Sequence, residues 1–194
     1  MVYNQIQQMI EDNPYVSGTA TRKNVIESEL YVLYASREGM KHIMDRHADE
    51  YAPGSLFADG INWTSELREI IKTPGEGPDE RSMVKWIEKD LQKNVGFMGV
   101  AHAPPETVAG MKDYIMPGGR MEKVKVSAGV RKPTSIINLI TAKIGSLKDG
   151  RPVLSLVTMF PGTNTIDGVT MPYDRSAFAS SGFYFVLPED SPML

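Results

Sequence analysis

The chain has 194 residues, a formal net charge of −3 and no cysteine. That length suits one medium domain with its own hydrophobic core. The missing thiols exclude a disulfide scaffold, a thiolate zinc site, an iron–sulfur cluster and a cysteine nucleophile. With three histidines in all, an all-histidine metal site would use every one of them. No apolar run approaches the roughly 18 residues of a membrane span, so no membrane partner is expected.

In chain order, Ile6, Met9 and Ile10 fall at helical spacing and predict a helix over residues 1–12, closed by Asn13-Pro14. Residues 15–28 are polar and read as a connecting arm. Leu30 to Ala35 is a compact β-strand pattern, and Ser36 is an N-cap for a helix running to about Ala48. Trp63 to Lys72 and Met83 to Asn94 read as helices separated by the breaker-rich segment 73–80. The second carries the stripe Met83, Ile87, Leu91. Val95 to Ala101 reads as a short strand. From Lys123 to Arg131, valines and an alanine alternate with polar and basic residues, the pattern of a half-exposed strand with a basic outer face. Ile137 to Ser146 and Pro152 to Phe160 are β-rich runs joined by the turn Lys148-Asp149-Gly150, and Phe183 to Leu187 closes the set. The expected fold is α+β, with N-terminal helices packed on a C-terminal antiparallel β-sheet. A helix and arm over 1–28 precede a single α+β domain over 29–194.

The densest polar constellation is His42-Ile43-Met44-Asp45-Arg46-His47. On a helix, His42 and Arg46 lie about 40° apart on one face, the arrangement of an exposed pair. Met40, Ile43, Met44 and His47 form the apolar stripe, which places His47 toward the core. An imidazole exchanges protons near neutrality, and a guanidinium grips phosphate with two hydrogen bonds. Thr158 falls in an apolar strand row with Leu154, Leu156 and Phe160, just before Pro161. From Pro117 to Phe160, eight basic residues, Arg120 among them, face two acidic ones, the footprint of a phosphate-bearing ligand. Lys123, Lys125, Arg131, Lys132 and Thr134 are its candidate contacts. Neither H-E-x-x-H nor G-x-S-x-G nor a Walker sequence occurs, and no metal or cofactor is expected.

The order His-x-x-x-Arg-His, then Gly54-Ser55-Leu56-Phe57, then helices, a basic strand and a hairpin ending Thr158-Met-Phe-Pro-Gly162 resembles a bacterial toxin-type ribonuclease domain. Two groups are similar: the ribonuclease A-like domain of contact-dependent inhibition toxins, and the barnase–EndoU–colicin–RelE nucleases with their phage-associated members. The resemblance spans Leu30 to Gly162. It implies that His42 is the general acid/base, His47 the second histidine and Thr158 the threonine of the closing strand. Arg46 or Arg131 stands in for the family arginine, and Phe160 replaces a tyrosine. The function implied is metal-independent RNA cleavage by 2′-hydroxyl attack, with RNA and an immunity protein as partners. The start of the chain lacks the pattern of a signal peptide, so the expected location is the cytoplasm, or delivery as part of a toxin or phage system. The alternative is a noncatalytic binding module, or a phage-associated structural protein, on a nuclease-like scaffold.

Overall fold

A computed structural model describes residues 1–47, 53–72, 84–103, 111–115, 121–172, 175–192 and 194. The helix end expected at Ala48, the 73–80 breaker segment and Arg120 lie outside the described residues. The order opens with α1 (Val2–Glu11), β1 (Val25–Glu27), β2 (Val32–Tyr34), α2 (Arg37–His47), β3 (Leu56–Phe57) and α3 (Trp63–Lys72). It continues with β4 (Val84–Asp90), β5 (Gly96–Met98), β6 (Val100–His102), β7 (Met111–Ile115), β8 (Met121–Ala128) and β9 (Lys132–Thr134). The last elements are β10 (Ile136–Ser146), β11 (Pro152–Pro161), β12 (Thr165–Ile166), β13 (Val169–Thr170), α4 (Arg175–Ser180) and β14 (Phe183–Leu187). Among the described residues no helix is long and apolar enough to cross a membrane. The chain forms two compact units, each assembled from separated segments.

The first unit comprises Met1–Ile43, Gly60–Lys89 and Asn138–Met159. Its sheet has the order β1-β2-β11-β10-β4. β1 and β2 are antiparallel, with Ile26 opposite Leu33. β2 and β11 are parallel, with Leu33 beside Leu154 and Tyr34 beside Ser155. Because facing residues share a side of the sheet, Val25, Val32, Tyr34 and Val153 point one way and Ile26, Leu33 and Leu154 the other. The first row packs with Ile6 and Ile10 of α1, one turn apart, and with Leu147. Leu33 and Leu154 are fully buried too. Both sides of these central strands are therefore covered, and the sequence from Tyr31 to Ala35 is accordingly an unbroken buried run rather than an alternating one. α3 lies against β1, with Leu67, Ile70 and Ile71 buried. The turn after β10 is tied back to β1: Arg151 donates from Nη1 to the Ser28 carbonyl at 3.0 Å, from Nη2 to Glu27 at 3.3 Å and from Nε to Asp149 at 2.9 Å.

The second unit comprises Met44–Asp59, Asp90–Ile137 and Phe160–Leu194. It holds a four-stranded sheet, β6-β14-β8-β7, a three-stranded sheet, β3-β5-β9, and the separate hairpin β12-β13. β14 runs parallel to β8, with Phe185 beside Val126. Val124, Val126 and Leu187 form a small core with Tyr114 and Phe185. The alternation expected from Lys123 to Arg131 holds only in part: Val124 and Val126 are buried and Lys123 is exposed, but Lys125 is half-buried, the strand ends at Ala128, and Ala128 and Val130 are exposed.

The expected arrangement of helices on one C-terminal antiparallel sheet is not the one observed. Among the described residues strands dominate, they belong to four sheets, and the β2–β11 and β8–β14 pairings are parallel. The N-terminal third itself supplies β1 and β2 to a sheet it shares with β11. Of the helix read over Met83 to Asn94, Met83 lies outside the described residues, and Val84–Asp90 is instead the strand β4. Its stripe at helical spacing coincides with Val84, Trp86 and Ile87, residues that suit a pleated surface. The segment adds an edge strand beside β10, and Asn138 Nδ2 donates to its Glu88 at 3.0 Å.

Candidate functional site

In the first unit, α2 is fastened directly to β11. Ser36 is its N-cap: Oγ accepts the Gly39 N–H at 3.0 Å, satisfying one of the free donors of the first turn. The same hydroxyl donates to the Leu156 carbonyl at 3.3 Å. Gly39 sits so close to that carbonyl that an added Cβ would lie 2.2 Å from the Leu156 oxygen. His42 follows one helical turn later and is half-buried. Thr158 follows Leu156 by one strand repeat, on the same side of β11. It is 8% exposed, and among the described residues its Oγ1 has no hydrogen-bond partner.

In the second unit, His47 is buried, as expected, but Met44 of the same expected stripe is 59% exposed, so the stripe does not face the core along its whole length. Its Nδ1 lies 2.7 Å from the Ser55 carbonyl oxygen. A carbonyl only accepts, so Nδ1 carries the proton. The ring meets Phe57 edge-on at 6.3 Å and Phe160 at 5.8 Å. Ser55 extends the contact, its hydroxyl accepting the Gly99 N–H at 3.1 Å. Arg46 is not the exposed partner expected on the helix face. Its side chain is 11% exposed and paired with Glu122 at 3.8 Å, because β8 turns that carboxylate inward beside Val124 while Lys123 faces out.

The basic residues do not share one face. Lys123 and Lys125 stand on β8, whereas Lys132 and Thr134 belong to β9 in a different sheet. Lys123 is exposed and paired with Asp113 of β7 at 3.0 Å. Lys125, expected to point into water, is half-buried and donates to the Ser181 carbonyl. Arg131 Nε donates to the Val186 carbonyl at 3.1 Å. Thr134 Oγ1 accepts the Ile136 N–H at 3.1 Å, and Lys132 is exposed. His102 is half-buried with its ring 4.8 Å from that of Phe183.

The sequence-derived candidates thus divide. His42 and Thr158 belong to the first unit; Arg46, His47, Lys123, Lys125, Arg131, Lys132 and Thr134 belong to the second. Sequence reading missed the partners of the basic residues: Glu122 and Asp113 in adjacent strands, and carbonyls contributed by distant segments. Asp113 carried no signal that a single sequence could offer, but the inward parity of Glu122 was present in the β8 alternation. Among the described residues, no three histidine or carboxylate side chains gather as a metal site. Comparison with family models, with curated proteins and with solved structures finds no match.

Proposed function

We propose that the chain is a metal-independent endoribonuclease, with His42 as its acid/base group and Thr158 as a donor to the phosphoryl group. The observation that carries this reading is the buried Thr158 hydroxyl, which has no hydrogen-bond partner among the described residues. Leaving such a group unsatisfied costs about 1–3 kcal/mol, and native proteins retain few of them. A phosphoryl oxygen arriving at the end of β11 would relieve that cost. The half-buried ring of His42, one turn beyond the contact of α2 with β11, is of the right chemical kind to exchange a proton with the same substrate. The sequence resemblance supports the same two residues.

In this reading His42 takes the proton of a ribose 2′-hydroxyl. The 2′-oxygen forms a bond to the adjacent phosphorus, and the bond from phosphorus to the 5′-oxygen breaks. The leaving 5′-oxygen takes up a proton from water, and a 2′,3′-cyclic phosphate remains. Thr158 stabilises charge on a non-bridging oxygen as it develops. Arg46 and Arg131 are left out of this step, since both are engaged within the second unit. General acid–base assistance of this kind contributes about 10²–10⁴-fold.

The noncatalytic alternative has its own support. Lys123, Lys125, Arg131 and Arg46 are each engaged by carboxylates or carbonyls of the chain itself, which weakens the case for a phosphate-binding face. One experiment separates the two. Purified chain is incubated with RNA and EDTA, alongside His42→Ala and Thr158→Val. Cleavage to cyclic-phosphate ends that both substitutions abolish supports the enzyme. Intact RNA with every substrate tried, tRNA and ribosome-bound message included, favours the binding module.

A further inference from the structure

We propose that Ser36 and Gly39 are positioning residues that set the spacing between His42 and Thr158 by docking the first turn of α2 on the backbone of β11. This rests on the enzymatic reading above. Ser36 is 4% exposed, and its single hydroxyl performs two tasks at once. As acceptor it caps the Gly39 N–H, and as donor it binds the Leu156 carbonyl. An N-cap needs the first task alone. The second fastens the helix start to the strand that carries Thr158 two residues later.

Gly39 points to the same function. Glycine is a poor residue inside a helix, and alanine the best. Here an alanine methyl would fall 2.2 Å from the Leu156 oxygen and 3.1 Å from its carbonyl carbon. Those are backbone atoms, so no side chain can swing aside. Helix propensity is sacrificed for direct contact of backbone with backbone. His42 lies three residues on, on the side of α2 that Gly39 turns to β11, and helical side chains lean over the turn before their own Cα. A side chain directed in this way stands over the Gly39 turn, so displacing that turn displaces the ring relative to Thr158.

The test uses the full chain and three variants: Gly39→Ala, Ser36→Ala and Ser36→Thr. RNA cleavage is resolved into kcat and KM, helix content is read by circular dichroism, and hydrogen exchange is followed at the Gly39 amide. Gly39→Ala should retain its helix, which alanine favours, yet lose about 10²-fold in kcat with KM little changed, the scale of a displacement of about 1 Å. Ser36→Ala should lower kcat and release the Gly39 amide to exchange, and Ser36→Thr should restore both. A folded Gly39→Ala with wild-type kcat overturns the proposal. Should that variant fail to fold, an unchanged kcat in Ser36→Ala overturns it equally. The amide distinguishes the two ways of failing. A protected Gly39 amide in a wild-type chain that cleaves no RNA refutes the enzymatic reading, and this proposal with it. An unprotected amide in an active chain refutes the docking alone.

Discussion

The Nδ1 atom of His47 lies 2.7 Å from the carbonyl oxygen of Ser55, eight residues later in the chain. The contact joins the last residue of α2 to the residue that precedes β3, and it sits against Phe57 and Phe160. His47 is thus a structural fastener, whatever chemistry its neighbour His42 performs. Replacing it by alanine should remove a buried hydrogen bond and the ring's packing together. Stability should fall by roughly 1–3 kcal/mol, read as a lower urea midpoint at unchanged slope. A midpoint equal to wild type would mean that the ring contributes nothing to the fold.

His42 should behave in the opposite way. It is half-buried, and its expected role is in proton transfer. His42→Ala should abolish RNA cleavage at a smaller loss of melting temperature than His47→Ala causes. Cleavage by the wild type should survive EDTA. Strict dependence on added magnesium or zinc would require a different mechanism.

The lysines should contribute unequally to RNA binding. Each phosphate contact on a single strand adds about −0.7 to the slope of log affinity against log salt. Lys132 is exposed, so Lys132→Gln should flatten the slope by about 0.7 if that side chain meets a phosphate. Lys123 is already paired with Asp113 at 3.0 Å. Its replacement should change the slope by less, because a partnered ammonium displaces less of the counterion atmosphere. Anisotropy titrations at several salt concentrations compare the two. A larger change for Lys123 would show that its pair with Asp113 opens on binding.

Burial pushes the Tyr31 phenol from 10.0 up to about 12. The folded value lies above the unfolded one, so the stability linked to this group is complete below the unfolded value. It is lost as pH rises through the folded one. Wild type should therefore lose stability more steeply than Tyr31→Phe between pH 10 and pH 12. Denaturant midpoints across that interval, with phenolate absorbance followed in parallel, test it. Parallel curves for the two proteins would mean that Tyr31 ionises as a surface tyrosine does.

On the acid side, a hydrogen bond from Arg151 holds the Asp149 carboxyl below its usual range. There the linked stability is present above the ordinary aspartate value and lost as pH falls through the depressed one. Asp149→Asn should flatten the acid limb of the stability profile relative to wild type.

Local features were legible where the sequence itself determines them. The Ser36 cap, the Trp63–Lys72 helix and the burial of Val124 and Val126 in β8 all follow from residue type and period. The β4 segment was not, because Met83, Ile87 and Leu91 satisfy a helical period while Val84 and Trp86 favour a strand, and the neighbouring β10 decides. The Asp167-Gly168 pair, both with positive φ, joins β12 to β13 in the two-residue turn such a dipeptide favours. That signal was present in the sequence. The parallel pairings were beyond reach, since nothing near Leu33 names Leu154 as its neighbour. The same distance hid the fate of the basic residues. Their charges were countable in the sequence, but Ser181 and Val186, whose carbonyls take up Lys125 and Arg131, lie 56 and 55 residues away.

The parallel pairing of β2 with β11 also constrains the order of events during synthesis. Val32 to Tyr34 emerge from the ribosome before Val153 to Ser155, which must follow before the central pair of the sheet can form. Until then the aliphatic and aromatic run around Leu33 has β1 as its sheet partner and an open edge on the other side. Long-range parallel pairing is slow and leaves such edges exposed. A nascent chain halted before β11 should accordingly be the form most prone to aggregate and to recruit chaperones, and a chain halted beyond Pro161 should be released from both.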